Sequence, residues 1–378
     1  MAPNPLQQLE ACGQSVWTDV ISRRMIRSGT LARYIAGDGI TGVTANPTIF
    51  EKAIVDTHDY DETIRTLGSR GRTPAQIYEA LAIEDVGAAA DLLRPVYDRT
   101  GGTDGFVSIE VSPELADETD ATIEEARRFW SDLHRPNIMI KVPATTAGIP
   151  AIERLTAEGI NVNITLIFSV EVYKQAMDAY LNGLERRVAQ NQPIDRLASV
   201  ASFFVSRVDT LVDRLLEEKV QGANEGARQE VKRLEGKAAI ANAKIAYGWF
   251  ERVFGSDRFS RLQEHGALMQ RPLWASTSTK NPAYPDTMYV DPLIGPHTVN
   301  TMTLETIEAF RDHGTVNCDA IRQGVDEARQ VLADLERVGI SMKAVTDQLT
   351  DEGVHKFTTS LRALLSAIQE RQGNLVGA

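Results

Sequence analysis

The sequence predicts an α/β protein of the (β/α)8 barrel class, in which eight strand–helix units close a parallel sheet. Short runs rich in β-branched residues alternate with longer segments whose apolar residues recur at helical spacing. Eight such runs occur along one chain. No GxGxxG loop follows the first of them, which argues against the alternative of an open doubly wound sheet.

The predicted strands alternate with helices along most of the chain. The strands cover residues 15–21, 42–50, 105–111, 138–144, 161–168, 198–206, 268–277 and 287–295. The clearest helical patterns cover residues 74–97, 113–133, 170–188 and 208–254. Additional C-terminal helices, residues 319–337 and 341–372, are expected to pack on the barrel, so that residues 319–372 belong to one domain spanning residues 1–378.

The composition and charge of the chain argue against nucleic-acid-binding and membrane proteins. The chain is 43% hydrophobic and 24% charged, as in ordinary globular proteins. Its net charge of −12 argues against a nucleic-acid partner, because phosphate-backbone binding needs a basic surface. No signal-peptide pattern and no run of 18 apolar residues occurs, so we expect no membrane association and a cytoplasmic location. Monomer and homodimer both remain open.

Cysteine and histidine are too scattered to indicate a metal site. Cys12 and Cys318 are 306 positions apart without any CxxC pair, so neither a disulfide framework nor a zinc cluster is expected. This cysteine usage is typical of a reducing compartment. The six histidines show no HxH or HExxH spacing, and we predict neither a metal nor another cofactor.

Lys141 interrupts the apolar run IMIKVPAT, where an unpaired ammonium would be costly. Alternate residues of a barrel strand face the interior and the helices, so the polar set of each run points inward. These polar residues cluster near the C-terminal strand ends and are Asp19, Asn46, Glu110, Lys141, Asn163, Thr165 and Ser202. Thr44 and Phe204 share the faces of Asn46 and Ser202. So polar an interior predicts an active site at that end.

Each of these residues alone also has a simpler explanation. Lys141 and Glu110 can form a purely structural ion pair, and Asp19 can cap a helix. Asparagine and threonine at strand ends often form turns. Only the fact that all these residues are predicted to face the barrel interior favours an active site over these alternatives.

A lysine in such an interior suits imine formation with a carbonyl substrate, because burial disfavours its ammonium form. Glu110 and Thr165 can carry the proton transfers through a water, and Asp19 is a candidate base for carbon–carbon cleavage. Asn46 and Asn163 suit sugar hydroxyls. A candidate phosphate clamp consists of Arg207, Ser278 and Lys280.

The motifs TGVTANPTIF, SIEVSPELA, IMIKVPAT, GINVNITLIFS and SFFVSRVD occur in order along the chain. With them the sequence resembles the transaldolase family of Schiff-base (class I) aldolases, in its long-chain bacterial branch. The resemblance implies a (β/α)8 fold with Lys141 as the imine-forming residue. It implies that Glu110 and Thr165 position a catalytic water and that Asp19 deprotonates the donor C4 hydroxyl.

The resemblance also implies substrate contacts and a reaction. Asn46 and Asn163 match hydroxyl ligands, Ser202 and Arg207 match substrate and phosphate positions, and Phe204 lines the pocket. The expected reaction transfers a dihydroxyacetone unit from sedoheptulose 7-phosphate to glyceraldehyde 3-phosphate, in the non-oxidative pentose phosphate pathway.

The sequence departs from the family pattern at one residue of the candidate phosphate clamp. Lys280 stands in STSTKNP where shorter family members carry an arginine, and a lysine supplies charge without the bidentate fork. Two alternatives remain open: an aldolase that cleaves fructose 6-phosphate, and a barrel that binds sugar phosphates without turnover.

Overall fold

The computed structural model describes residues 4–221 and 224–376. Eight parallel strands in these ranges form a closed barrel in chain order, with β1 pairing both β2 and β8. The strands are β1 (Gln14–Thr18), β2 (Ile40–Thr44), β3 (Val107–Glu110), β4 (Ile138–Pro143), β5 (Val162–Ile167), β6 (Ser199–Phe204), β7 (Arg271–Ala275) and β8 (Thr298–Met302). The predicted fold class is confirmed. Residues 1–3, 222–223 and 377–378 of the predicted domain lie outside the described residues.

Helices surround this barrel and follow most of its strands. Those of the first half are α1 (Pro5–Ala11), α2 (Arg23–Arg27), α3 (Thr30–Asp38), α4 (Pro47–Val55), α5 (Asp61–Ser69), α6 (Pro74–Arg99), α7 (Thr119–Leu133), α8 (Gly148–Ala157) and α9 (Val170–Ala189). Those of the second half are α10 (Ser206–Lys219), α11 (Glu225–Lys232), α12 (Ala238–Phe254), α13 (Asp257–Gln263), α14 (Leu304–His313), α15 (Val325–Arg337) and α16 (Met342–Val376). Short 3₁₀ turns occupy Pro113–Leu115, Asp291–Leu293 and Ala320–Arg322.

The prediction of the last strand was wrong. Residues 287–295 form turns around Asp291–Leu293, and β8 lies just beyond them. Pro292 lacks the N–H that a strand ladder needs. The apolar residues of the segment are buried by packing instead, as Tyr289 illustrates with its hydroxyl 2.9 Å from Asp209 Oδ2. A buried apolar run is therefore not sufficient to identify a strand.

The predicted helix over residues 208–254 is three helices, α10, α11 and α12. Gly236, between α11 and α12, has a φ of 67°, a left-handed conformation that favours glycine. Its N–H donates to Asp213 Oδ1 of α10 at 2.9 Å, which turns the chain back toward the barrel.

Strand register places the predicted site residues side by side. Glu110 of β3 is the partner of Lys141 of β4, and Lys141 is in turn the partner of Asn163 of β5. Below this level, the indole of Trp17 lies against Gly42 of the neighbouring strand, where a Cβ would be 2.4 Å from the ring. A bulky aromatic residue is thus accommodated because its neighbour has no side chain.

The C-terminal helix α16 runs back across the molecule from Met342 to Val376 and packs on α4, α5 and α6. Arg371 donates to the carbonyl oxygens of Ile54 and Thr57 at 2.6 and 2.7 Å, near the end of α4. The hydroxyls of Thr48 and Ser360 are 2.9 Å apart. These contacts hold the middle of α16 over the C-terminal end of the barrel.

A disulfide joins Cys12 to Cys318, with the sulfur atoms 1.98 Å apart. The expectation of no disulfide was therefore wrong. Barrel closure brings the segment before β1 beside the segment after α14, a proximity that a separation of 306 residues conceals. The bond also removes the cysteine argument for a reducing compartment.

Within the described ranges, every helix is too short or too polar to span a lipid bilayer.

Arg23 at the start of α2 forms a buried charge network with α6. Its guanidinium lies 2.7 Å from Glu84 and 3.1 Å from Asp85, and only 2% of the arginine side chain is exposed. Tyr60 completes the network by donating to Asp85 at 2.9 Å. The network fastens the loop after β1, which carries Asp19, to the helical layer.

We predict that Asp85→Ala lowers the free energy of unfolding by about 3 kcal/mol, because it leaves a buried guanidinium only partly compensated. Urea denaturation measures the change. Asp98→Ala is the control, since its partner Arg94 lies on the surface, and it should change the stability little. Equal effects of the two substitutions would contradict a stabilising role for the buried network.

Candidate active site

A cavity of about 560 Å³ opens at the C-terminal end of the barrel. Ten of the twelve residues predicted for the site line it: Asp19, Thr44, Asn46, Lys141, Thr165, Ser202, Phe204, Arg207, Ser278 and Lys280. The other two, Glu110 and Asn163, lie directly behind the lining and contact Lys141 and Ser202. The structure thus brings the whole predicted set together at one end of the barrel.

Lys141 and Glu110 form a buried ion pair on neighbouring strands. Lys141 Nζ donates to Glu110 Oε2 at 2.9 Å, and the two side chains are 5% and 3% exposed. Burial raises the pKa of Glu110, although Lys141 and then Arg207 oppose the rise. A carboxylate of this kind accepts a proton more readily than an exposed one, so the pair can release a free amine by internal proton transfer.

Thr165 lies beside this pair, at the end of β5. Its buried hydroxyl has no hydrogen-bond partner among the described residues, which leaves it available to a water or a substrate. The next residue, Leu166, has a φ of 57°, and the β5–β6 pairing is irregular between Ile164 and Ile167. Left-handed backbone costs a leucine of the order of 1–2 kcal/mol, a strain that structures retain mainly at functional sites.

Asn163 is held by hydrogen bonds at both ends of its amide. Its nitrogen donates to Ser108 Oγ at 2.9 Å, and its oxygen accepts from Ser202 Oγ at 2.7 Å. The residue is fully buried. This geometry suits a residue that orients Ser202 and supports the barrel wall beside Lys141; the role of hydroxyl ligand stays a prediction.

Asp19 follows β1 and lines the cavity. Its backbone N–H donates to Met302 of β8 at 3.0 Å, which holds the residue at the strand end. Burial raises the pKa of its carboxyl to about 6, with Lys280 and Lys141 opposing the rise. The group can therefore take up and release a proton near neutral pH.

Asn46 and Thr44 lie at the end of β2. The side-chain oxygen Oδ1 of Asn46 caps α4 by accepting from Ile49 N at 3.0 Å, so the predicted ligand is also a helix cap. Its amide nitrogen has no partner among the described residues and can donate into the cavity. Thr44 exchanges a hydrogen bond with Thr301 of β8 at 3.0 Å.

The outer part of the cavity is positively charged. The guanidinium of Arg207, in the first turn of α10, lies 5.2 Å from the centre of the Phe204 ring. Burial lowers the pKa of Arg207. Lys280 Nζ donates to Ser278 Oγ at 2.5 Å, which places the three members of the predicted phosphate clamp around one opening.

Sequence reasoning missed several lining residues: Lys52, Thr301, Glu305, Lys356 and Phe357. Thr301 was missed because β8 was placed too early. Lys356 and Phe357 belong to α16 and reach the cavity only because that helix folds back over the barrel. No local pattern distinguishes these two residues from others on the same helix.

In the ranges that the structure describes, no three His, Cys, Asp or Glu side chains lie close enough together to hold a metal ion.

A family profile and individual relatives assign the chain to the same family. The sequence profile of the family described as Transaldolase/Fructose-6-phosphate aldolase matches residues 16–368. The chain is 48% identical to a transaldolase of Thermobifida fusca (strain YX) over 368 residues, which cover 97% of this chain and 98% of the relative. It is 45% identical to a transaldolase of Trichodesmium erythraeum (strain IMS101) over 374 residues, which cover 98% of each. As its motifs predicted, the chain belongs to the transaldolase/fructose-6-phosphate aldolase family.

Proposed function

We propose that the enzyme is a transaldolase that moves a dihydroxyacetone unit from sedoheptulose 7-phosphate to glyceraldehyde 3-phosphate, giving erythrose 4-phosphate and fructose 6-phosphate in the non-oxidative pentose phosphate pathway. The observation that carries the proposal is the buried Lys141–Glu110 pair in a cavity with a cationic mouth. The pair supplies a nucleophile with an adjacent proton acceptor, and the mouth suits a phosphate. Family membership supports the same reaction class.

Imine formation begins when Lys141 Nζ passes a proton to Glu110 and attacks the C2 ketone of the donor. The resulting carbinolamine loses water when its hydroxyl takes a proton back from Glu110. We assign to the Thr165 hydroxyl, which has no partner among the described residues, the orientation of the water that relays this proton. The raised pKa of Glu110 supports both halves of the transfer.

Carbon–carbon cleavage needs a base on the donor C4 hydroxyl. Asp19 takes that proton, the C3–C4 bond breaks, and its electron pair moves onto the imine to give an enamine. Erythrose 4-phosphate then leaves. The enamine attacks the aldehyde carbon of glyceraldehyde 3-phosphate, Asp19 returns its proton to the new hydroxyl, and hydrolysis of the imine releases fructose 6-phosphate.

The remaining lining residues hold the substrate. Asn46 donates from its free amide nitrogen to a sugar hydroxyl, and Ser202 accepts while it donates to Asn163. Arg207, Ser278 and Lys280 bind the terminal phosphate. Phe204 forms the apolar wall beside Arg207.

We also propose a cytoplasmic location. Charged sugar phosphates do not cross a lipid bilayer unaided, so an enzyme that uses them as both donor and acceptor works where they are made. In a reducing compartment, the Cys12–Cys318 bond persists only if its reduction potential is low enough to resist glutathione.

We predict that borohydride reduction in the presence of fructose 6-phosphate adds one reduced dihydroxyacetone unit to the protein, at Lys141. Intact-mass measurement and peptide mapping detect the adduct. Lys141→Met should abolish both the adduct and turnover, whereas Lys343→Met, a control at an exposed lysine of α16, should retain both. An unchanged mass with the native protein would instead favour the barrel that only binds sugar phosphates.

We predict that fructose 6-phosphate is consumed rapidly only when erythrose 4-phosphate is present as acceptor, because the enamine is expected to wait for an aldehyde. A coupled assay for glyceraldehyde 3-phosphate, run with and without the acceptor, measures the difference. Equal rates in both reactions would identify a fructose-6-phosphate aldolase.

We predict that kcat/KM falls about tenfold per pH unit below pH 6, because Asp19 must be deprotonated to act as the base and its pKa is about 6. Rates measured from pH 4.5 to 8 give the profile. Asp19→Asn should lower kcat by about 10²- to 10⁴-fold and remove this acid limb. An acid limb that persists in the variant would assign the titration to another group.

A further inference from the structure

Four cations line the cavity, beside the carboxylates of Asp19 and Glu305, and come from separate parts of the chain. They are Lys52 of α4, Arg207 of α10, Lys280 after β7 and Lys356 of α16. Throughout the described ranges, no carboxylate oxygen lies within 4.0 Å of any of the four. Most other cations near the site are paired, as Arg24 is with Asp59 at 3.0 Å.

These four cations are close enough to repel one another. Partial burial lowers the pKa of the Lys356 ammonium, and the charges of Arg207, Lys280 and Lys52 lower it further. Burial likewise lowers the pKa of Lys280, with Arg207 and Lys52 acting in the same direction and the carboxylates of Asp19 and Glu305 opposing them. A dianion bound among them would relieve this repulsion, so the arrangement is that of an anion site.

The helix that carries Lys356 is fixed at this position. The neighbouring Phe357 is buried, with its ring centre 5.6 Å from Lys141 Nζ and 6.0 Å from the Arg207 guanidinium carbon. Gly353, one turn earlier, allows close packing, since a Cβ there would lie 2.8 Å from Leu166 Cδ2. One turn of α16 therefore packs between the imine-forming lysine and the phosphate end.

We propose that Lys356, supported by Lys52, completes the phosphate subsite, so that the C-terminal helix helps the enzyme select phosphorylated sugars. The inference rests on the proposed function, which supplies the sugar-phosphate substrates. Three lysine ammonium groups and one guanidinium then surround the phosphate. Their combined charge compensates for the single-point contact that Lys280 makes in place of an arginine fork.

The test compares Lys356→Gln, Lys52→Gln and the conservative Lys356→Arg with a control, Lys343→Gln. Lys343 lies on the same helix, is exposed, and pairs with Asp347 away from the cavity. For Lys356→Gln we expect KM for fructose 6-phosphate to rise about tenfold to a hundredfold, which corresponds to the loss of one charged hydrogen bond. The inhibition constant of inorganic phosphate should rise in parallel.

Three further results are expected. The loss with fructose 6-phosphate should exceed the loss with unphosphorylated fructose, Lys356→Arg should restore most of the affinity, and Lys343→Gln should behave like the native enzyme. Equal losses with both donors, or unchanged phosphate inhibition, would overturn the proposal and leave α16 with a packing role only.

Direct calorimetry of phosphate binding separates this inference from the proposed function. If the native protein shows no transaldolase turnover but its phosphate affinity depends on Lys356, the proposed function fails and the anion site stands. If turnover is normal and the Lys356→Gln variant binds phosphate as tightly as the native protein, the proposed function stands and this inference fails.

Discussion

The candidate active site is built around one buried ion pair. Lys141 and Glu110 are register partners on adjacent parallel strands, so barrel closure places their charges 2.9 Å apart without any loop to adjust them. A buried pair of this kind contributes little to stability compared with apolar residues of the same volume. The proposed function explains the pair better than stability does, because the pair places a nucleophile beside its proton acceptor.

The groups around this pair are positioned at some energetic cost. Leu166 and Ser276 adopt left-handed backbone conformations beside the cavity, at the ends of β5 and β7. Asp19 keeps a carboxyl in a site that raises its pKa, and Thr165 keeps a buried hydroxyl without a protein partner. Two strained residues and one unpartnered hydroxyl thus lie near the cavity, whereas other buried polar atoms without a partner among the described residues, such as Gln14 Oε1 and Gln270 Oε1, lie where β1 and β7 begin.

The C-terminal helix joins two ends of the chain around this site. Its contacts with α4 tie the segment after β2 to a segment more than 300 residues later. Through Phe357 and Lys356 the same helix reaches the cavity lining. This helix thus adds one aromatic and one cationic side chain to the wall of the cavity.

The sequence alone determined the fold class, seven of the eight strands and the set of polar residues that meet in the site. It could do so because strand alternation is local: the period of two assigns Asn163 and Thr165 to one face whatever the rest of the chain does. Motif resemblance then identified the family. The helical periodicity of α16 was equally local, and its existence was predicted correctly.

Only the tertiary structure decided which distant segments meet. The Cys12–Cys318 bond, the hydrogen bonds of Asn163 to two serines, and the approach of Phe357 to Arg207 depend on how the barrel closes and where α16 crosses it. The misplaced last strand has the same origin, because Val290 and Ile294 pack in a cluster with Leu6 of α1, a contact that no local pattern encodes. Periodicity specifies which face of an element is buried, whereas the partner of that face follows from the packing of the whole chain.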